Sequence, residues 1–292
     1  MRNGTLWPRL RPYAMVAPVI VGIVLFVFYP IAYLGQLSLN DYNLLNPAMS
    51  EFIGLENYVE IFQRGDFYVA LRNTLVYTLG TVSITLTLAV LFALLLKRHT
   101  RLGSIVQAGI FIPHVISIVS ISLVWLLMME PSFGLINTIL KALGLPTSMW
   151  LQSSETSMLS IIIVSVWHST GYFTLIVLAA LHSIPASLYE AAALDNAGPV
   201  RVFFKITLPM LSPQLFFMLI ISTIGALKVF DTVNIMTGGG PNNSTTSLAY
   251  YIFQNRTSNI GYASASGIVL MVLVAVFTII YFRILSKKVH YQ

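Results

Sequence analysis

The chain contains no cysteine, which excludes disulfides, thiolate nucleophiles and cysteine-based metal sites. Charge is scarce too: 9% of the 292 residues are Asp, Glu, Lys or Arg, against about 25% in an ordinary soluble domain. No GxxxxGK[ST] phosphate loop, GxSxG nucleophile elbow or HExxH zinc motif is present, and the five histidines have no metal-ligand spacing. The chain is therefore expected to carry no catalytic, nucleotide-hydrolysing or metal-binding machinery of its own.

Apolar length is what the chain has, at 57% hydrophobic residues. Six runs reach the roughly 20 residues that a helix needs to cross a bilayer: Ala14–Leu37, Asn73–Leu96, Ile105–Met129, Met158–Leu181, Leu215–Met236 and Ala263–Leu285. Each is continuously apolar rather than alternating, so helices are predicted and not barrel strands. The fold class expected is an all-α integral membrane protein with six transmembrane helices. The first run follows Arg2, Arg9 and Arg11 but is too long for a secretory signal and lacks a small-residue cleavage pattern, so it reads as a retained anchor.

Basic residues set the expected orientation. With the N-terminus in the cytoplasm, Arg2, Arg9, Arg11, Lys97, Arg98, Arg101, Arg201, Lys205, Arg283, Lys287 and Lys288 fall inside, eleven of the sixteen, as the positive-inside rule requires. Both termini are then cytoplasmic. The net charge of +6 reflects this topology, and no nucleic-acid site is indicated. No linker or low-complexity tract divides the chain, so residues 1–292 read as a single transmembrane domain with a cytoplasmic loop at about 182–213.

That loop carries YEAAALDNAGPVRVFFKITLPMLSP, a soluble-looking break in an otherwise oily chain. A short helix is expected from Leu188 to Asp195, with Pro185 near its start. Ala191, Ala192 and Ala193 supply little bulk and permit close approach to another surface, with Glu190 beside them. Asn196 and Gly198 can both take left-handed geometry and end this helix, and Pro199 opens a second amphipathic piece closed by Leu208 and Pro209. Pattern alone leaves two readings, an ordinary interfacial segment or a docking helix. On the other side, FIGLENYVEIFQRGDF predicts a short amphipathic helix through Leu55, Tyr58, Ile61 and Phe62, which either caps the bundle or seats a soluble partner. TGGGP after the fifth run predicts a helix end and sharp turn.

Glu190, Ala191 and Ala192 followed by Ile206, Leu208 and Pro209 resemble the EAA motif of permease subunits in binding-protein-dependent ABC importers. Ile184–Pro185, LYEAAALD, ITLP, FIGLENY, TGGGP and KKVHYQ are similar to the carbohydrate branch of that family, its maltose-type and glycerol-phosphate-type permeases. The family motif has glycine where this chain has Asn196, a residue that retains access to positive φ. The resemblance implies a type I ABC importer permease fold in a bacterial or archaeal plasma membrane. Its partners would be a second permease subunit, two ATPase subunits that bind ATP and Mg, and an extracytoplasmic solute-binding protein. The residues implied to couple to the ATPase are Glu190, Ala191, Ala192, Asp195, Asn196, Gly198, Ile206, Leu208 and Pro209.

Polar groups inside apolar runs are the candidates for solute contact, because they are costly in hydrocarbon. His168 and Tyr172 are four apart on the fourth run with Trp167 and Ser169 adjacent, a set of rings and hydrogen-bonding groups that suits a sugar. On the fifth, Lys228 and Asp231 are three apart and read either as solute contacts or as a self-satisfied helical ion pair. Asn73 and His114 read as helix-packing or interfacial groups rather than solute contacts. Lys228 leaves an anionic solute such as a glycerol phosphate open. Outside the importer class, an ion-coupled secondary transporter would need a coupling-ion site, for which Asp231 is the acid available.

Overall fold

The computed structural model describes residues 7–42, 50–98 and 100–285, with side chains for 11–42, 50–98 and 100–283. Arg2, Lys287, Lys288 and the KKVHYQ tail lie outside the described residues, as does the side chain of Arg9. The described elements are helical apart from one two-stranded ladder. They run α1 (Trp7–Ile23), a π turn (Val24–Phe28), α2 (Tyr29–Ser38), β1 (Asn40–Asp41), β2 (Glu51–Phe52), α3 (Glu56–Gln63) and α4 (Gly65–Leu96). Then follow α5 (Arg101–Val115), α6 (Ile118–Met128), α7 (Leu135–Ala142), a 3-10 turn (Trp150–Gln152), α8 (Ser157–Ser183) and α9 (Ala186–Leu194). The remainder comprises α10 (Pro199–Val202), a second π turn (Phe203–Thr207), α11 (Leu208–Leu227), α12 (Asp231–Met236), α13 (Leu248–Asn255) and α14 (Ile260–Leu285).

Among the described residues, five continuous helices are long and apolar enough to cross a membrane: Arg11–Ser38, Gly65–Leu96, Ser157–Ser183, Pro199–Leu227 and Ile260–Arg283. The expected third span differs. It is a pair, Arg101–Val115 and Ile118–Met128, bent by 100°. Ile116 is extended and Ser117 holds the non-helical conformation of an N-cap, a position its residue type favours. Unbroken apolarity concealed that stop, because hydropathy reports burial in lipid and not backbone direction.

The fifth span is shifted as well. Its helix begins at Pro199 and ends at Leu227, not at Met236, and Lys228 is its C-cap. Leu208 and Pro209 therefore do not close a separate amphipathic piece; they lie inside a continuous rod. Proline lacks the N–H for the helix ladder and its ring crowds the carbonyl four residues back. The π turn Phe203–Thr207 widens the helix just ahead of Pro209, and the π turn Val24–Phe28 does the same ahead of Pro30.

The described residues form two compact units. In the first, residues up to Arg64 join Ile252–Met271. Its long first helix exposes its entire most apolar stretch. Antiparallel β1 and β2 pair Asn40 with Phe52 and Asp41 with Glu51. Here α3 buries Ile61 together with Asn57, whose amide donates to the carbonyls of Ser38 (2.9 Å) and Asn40 (3.1 Å). Leu55 and Phe62, expected on the apolar face, are exposed, because the buried face runs through Asn57 and Ile61 instead.

The second unit, Gly65–Tyr251 with the end of α14, packs α4 against α8, with α5, α6, α11 and α12 around them. Without a hydrophobic drive between helices in lipid, close packing through small residues and interhelical hydrogen bonds holds such a bundle. Ala89 and Ala93 of α4 are fully buried in a cluster with Phe173, Val177, Leu178, Leu211 and Met218. At Gly171, a Cβ would stand 1.8 Å from the Ile110 carbonyl oxygen, so only glycine lets α8 lie against the backbone of α5. The TGGGP turn is pinned by side chains: Thr246 Oγ1 donates to the Gly239 carbonyl (3.1 Å), and Asn73 donates to the carbonyls of Asn243 (2.7 Å) and Thr246 (3.1 Å). Gly239 has φ +81°, and an added Cβ would meet Thr246 Oγ1 at 2.5 Å. Asn73 thus has a structural occupation.

Candidate functional site

Two places stand out, both in the second unit. The first is a cavity of about 280 Å³ inside the bundle, lined by Tyr77, Thr81 and Thr85 of α4, His114 of α5, Ser165, His168, Ser169 and Tyr172 of α8, Ser222 and Gly225 of α11, and Thr232 of α12, with apolar neighbours. None of its lining residues carries Lys, Arg, Asp or Glu chemistry. Its volume sits at the small end for a ligand pocket, at which about 300 Å³ is a lower guide.

The helical spacing of His168 and Tyr172 does bring them to one face, and α5 meets that face. The His114 ring stacks on Tyr172 with centroids 4.3 Å apart and planes 15° from parallel, and lies 5.2 Å from His168. Tyr77 donates to Ser165 Oγ at 2.7 Å, and Ser165 in turn donates to the Ile161 carbonyl at 2.9 Å. His114 Nδ1 and His168 Nε2 are buried without a hydrogen-bond partner. Buried polar atoms are ordinarily satisfied, and each exception calls for an explanation. In a cavity lined by rings and hydroxyls, a polar guest supplies one.

Other expected members lie elsewhere. Trp167 is on the opposite side of α8, edge-on to Trp125 at 5.4 Å and lining a separate apolar groove of about 500 Å³. Lys228 and Asp231 do not share a helix, since the chain breaks at Lys228–Phe230 and Asp231 opens α12. Both are exposed and neither lines the cavity, and the helical ion pair, the other reading of the two, is not formed. Asp231 instead occupies the first turn of α12, where a negative charge complements the helix dipole. His114, expected as a helix-packing or interfacial group, is a cavity residue, and so are Thr81 and Thr85 of α4, which apolar length alone does not single out. Their signal was present: Thr74, Thr78, Thr81 and Thr85 recur on one face of a helix.

The second place is α9. It follows Pro185, which acts as N-cap rather than as a first-turn residue, and ends in a Schellman motif: Ala197 N–H donates to the Ala192 carbonyl (2.9 Å) and Asn196 N–H to that of Ala193 (3.1 Å). Asn196 occupies the left-handed position with φ +50°. Gly198 does not share this geometry. It is extended at φ −65°, because one left-handed residue completes the motif and the following Pro199 disfavours helical geometry before it.

Tyr189 ties α9 down through a 3.2 Å hydrogen bond to Thr207, and Ala192 is only 7% exposed. The small size of Ala192 therefore serves packing within the chain. The outward face is Ser187, Glu190, Ala191 and Leu194, at helical spacing, and Leu194 is 85% exposed at its tip. Between α9 and the start of the next helix runs a groove of about 510 Å³ bordered by Ala191, Asp195, Arg201, Lys205 and Ile206.

With this geometry in hand, comparison with known proteins identifies the fold. The family model described as "Binding-protein-dependent transport system inner membrane component" matches residues 85–291. The sulfoquinovosyl glycerol transport system permease protein SmoG of Agrobacterium fabrum is 36% identical over 97% of this chain and 92% of its own length. The trehalose/maltose transport system permease protein MalF of Thermococcus litoralis is 34% identical over 93% of this chain and 92% of its own. Among solved structures, a chain of a bacterial alginate ABC transporter, crystallised in complex with an alginate pentasaccharide-bound periplasmic protein, superposes with a TM-score of 0.83 at 26% identity. That match covers 95% of this chain and 96% of the other.

Proposed function

Because the chain belongs to the family of binding-protein-dependent transport system inner membrane components, we propose that it is the membrane-spanning permease subunit of an ATP-driven importer for a sugar or related hydroxyl-rich solute. The observation that carries the solute class is the uncharged cavity of rings and hydroxyls around Tyr172, His168 and His114. An aromatic face packs against the CH face of a pyranose while hydroxyls exchange hydrogen bonds. The names of the relatives, a glycoside and two disaccharides among their solutes, support the same class.

In this reading the whole chain acts as one unit crossing the membrane six times, with the bent pair α5–α6 counting as one crossing and both termini in the cytoplasm. The basic residues Lys97, Arg98, Arg101, Arg201 and Lys205 favour that orientation. The chain pairs with a second permease subunit, takes solute from an extracytoplasmic binding protein, and docks two ATPase subunits that hold ATP and Mg. The exposed face of α9 seats in an ATPase cleft, and closure of the ATPases moves α9 and, through the continuous rod from Pro199 to Leu227, the cavity wall at Ser222 and Gly225. Differential contact with α9 in the open and closed ATPase states supplies the driving free energy.

Uptake by the assembled importer tests the cavity assignment. Tyr172→Ala removes a ring and a hydroxyl and is expected to lower solute uptake at least tenfold. The complex still assembles, because Tyr172 lies about 16 Å along α8 from its loop end. Lys228→Met is expected to leave uptake unchanged, since Lys228 does not reach the cavity. Normal uptake by both Tyr172→Ala and His168→Ala would remove the site from α8, and a large loss from Lys228→Met would indicate recognition of an anion.

A further inference from the structure

Several threonines of this bundle satisfy their hydroxyls within their own helix. Thr74, Thr170, Thr174 and Thr278 each donate a hydroxyl hydrogen to the carbonyl four residues back, at 2.6–2.8 Å, the usual way to satisfy a threonine within a helix. Thr78, Thr81 and Thr85 do not. All three are buried on one face of α4; Thr81 shares a hydrogen bond with the Tyr77 hydroxyl across the cavity lining, whereas the Oγ1 atoms of Thr78 and Thr85 have no partner. Thr81 and Thr85 line the central cavity at 8% and 1% exposure, and the three span about 10 Å along the helix axis.

Leaving a buried hydroxyl unpaired costs about 1–3 kcal/mol, and the local remedy used by Thr74 is open to each of them. A hydroxyl turned from the backbone toward a cavity is available to a guest. We propose that Thr81 and Thr85 are specificity-determining residues, the hydrogen-bonding rungs that solute hydroxyls take as they pass this chain's half of the pathway. This rests on the importer reading above and adds α4 to the walls of the site. A threonine hydroxyl both donates and accepts, matching the hydroxyls of an uncharged ring. With no Lys or Arg in the lining, the same cavity offers no permanent positive charge to offset a carboxylate or phosphate brought out of water. The portion of the solute held here is neutral, and any charged portion is held outside this cavity.

The complete importer in proteoliposomes, with ATP and its binding protein, provides the test, using maltose, trehalose and sn-glycerol 3-phosphate as probes. Thr81→Val and Thr85→Val preserve shape and remove the hydroxyl. Each is expected to lower sugar uptake about tenfold at saturating binding protein, the worth of one hydrogen bond, and Thr85→Ser to restore it. For Thr85→Val, melting of the solute-free complex is expected at or above the wild-type temperature, because the hydroxyl removed had no partner. Unchanged sugar uptake in both valine variants would overturn the inference, as would a lowered melting temperature accompanying the loss in Thr85→Val, which marks a structural role. Preference of the wild type for sn-glycerol 3-phosphate over both sugars would also overturn it. Failure of the importer reading shows separately, as a wild-type complex that moves none of the three with ATP.

Discussion

Gly171→Ala is expected to abolish uptake, the largest effect of any single methyl group in this chain. The new Cβ would lie 1.8 Å from the Ile110 carbonyl oxygen and 2.4 Å from its carbon, whereas carbon–oxygen contacts settle near 3.4 Å. Backbone cannot rotate away as a side chain does, so α5 and α8 must part by about 1.5 Å. His114 lies one helical turn from Ile110, and Tyr172 is the next residue after Gly171. The 4.3 Å stack between them is therefore lost along with the cavity wall. Overpacking of this kind costs about 1–3 kcal/mol. Uptake and thermal melting of the purified complex check it: a wild-type melting curve with wild-type uptake would show that the helices are not in backbone contact.

Ala191→Trp is expected to strip the ATPase subunits from the purified complex and take uptake with them. Ala191 stands between Glu190 and Leu194 on the exposed face of α9, and a bulky ring there prevents the helix from seating. A mismatch of about 2 kcal/mol weakens association about 30-fold. Ala192→Glu gives a contrasting result. That residue is buried against its own chain, so an unpaired carboxylate is forced into the packing and the permease itself melts lower. Co-purification with the ATPase, measured beside melting of the permease, separates the two. Retention of the ATPase by Ala191→Trp would remove the docking role from this face.

Much of this architecture is legible in the order of residues. Apolar runs report the length of each apolar segment, which is why five long apolar helices and the short helix α9 are recovered. The EAA motif and Asn196 report a local turn whose geometry depends on its own few residues. The bend at Ile116–Ser117 is not legible, because a helix that turns within apolar surroundings remains apolar. The break at Lys228 is hidden for the same reason, and it dissolves the apparent pairing with Asp231. Helical spacing placed His168 with Tyr172, yet His114 and Thr85 join them only when α5 and α4 are packed. Which polar residues of an apolar helix face a cavity is a tertiary property, and the threonine spacing on α4 becomes informative once the Thr85 hydroxyl is seen to lack a partner.

Energy coupling is the central claim, and uptake in sealed vesicles containing the full complex measures it most directly. Solute accumulation is expected to require ATP on the ATPase side and binding protein on the other, and to persist when the proton gradient is collapsed. Accumulation driven by an ion gradient without ATP would contradict the account.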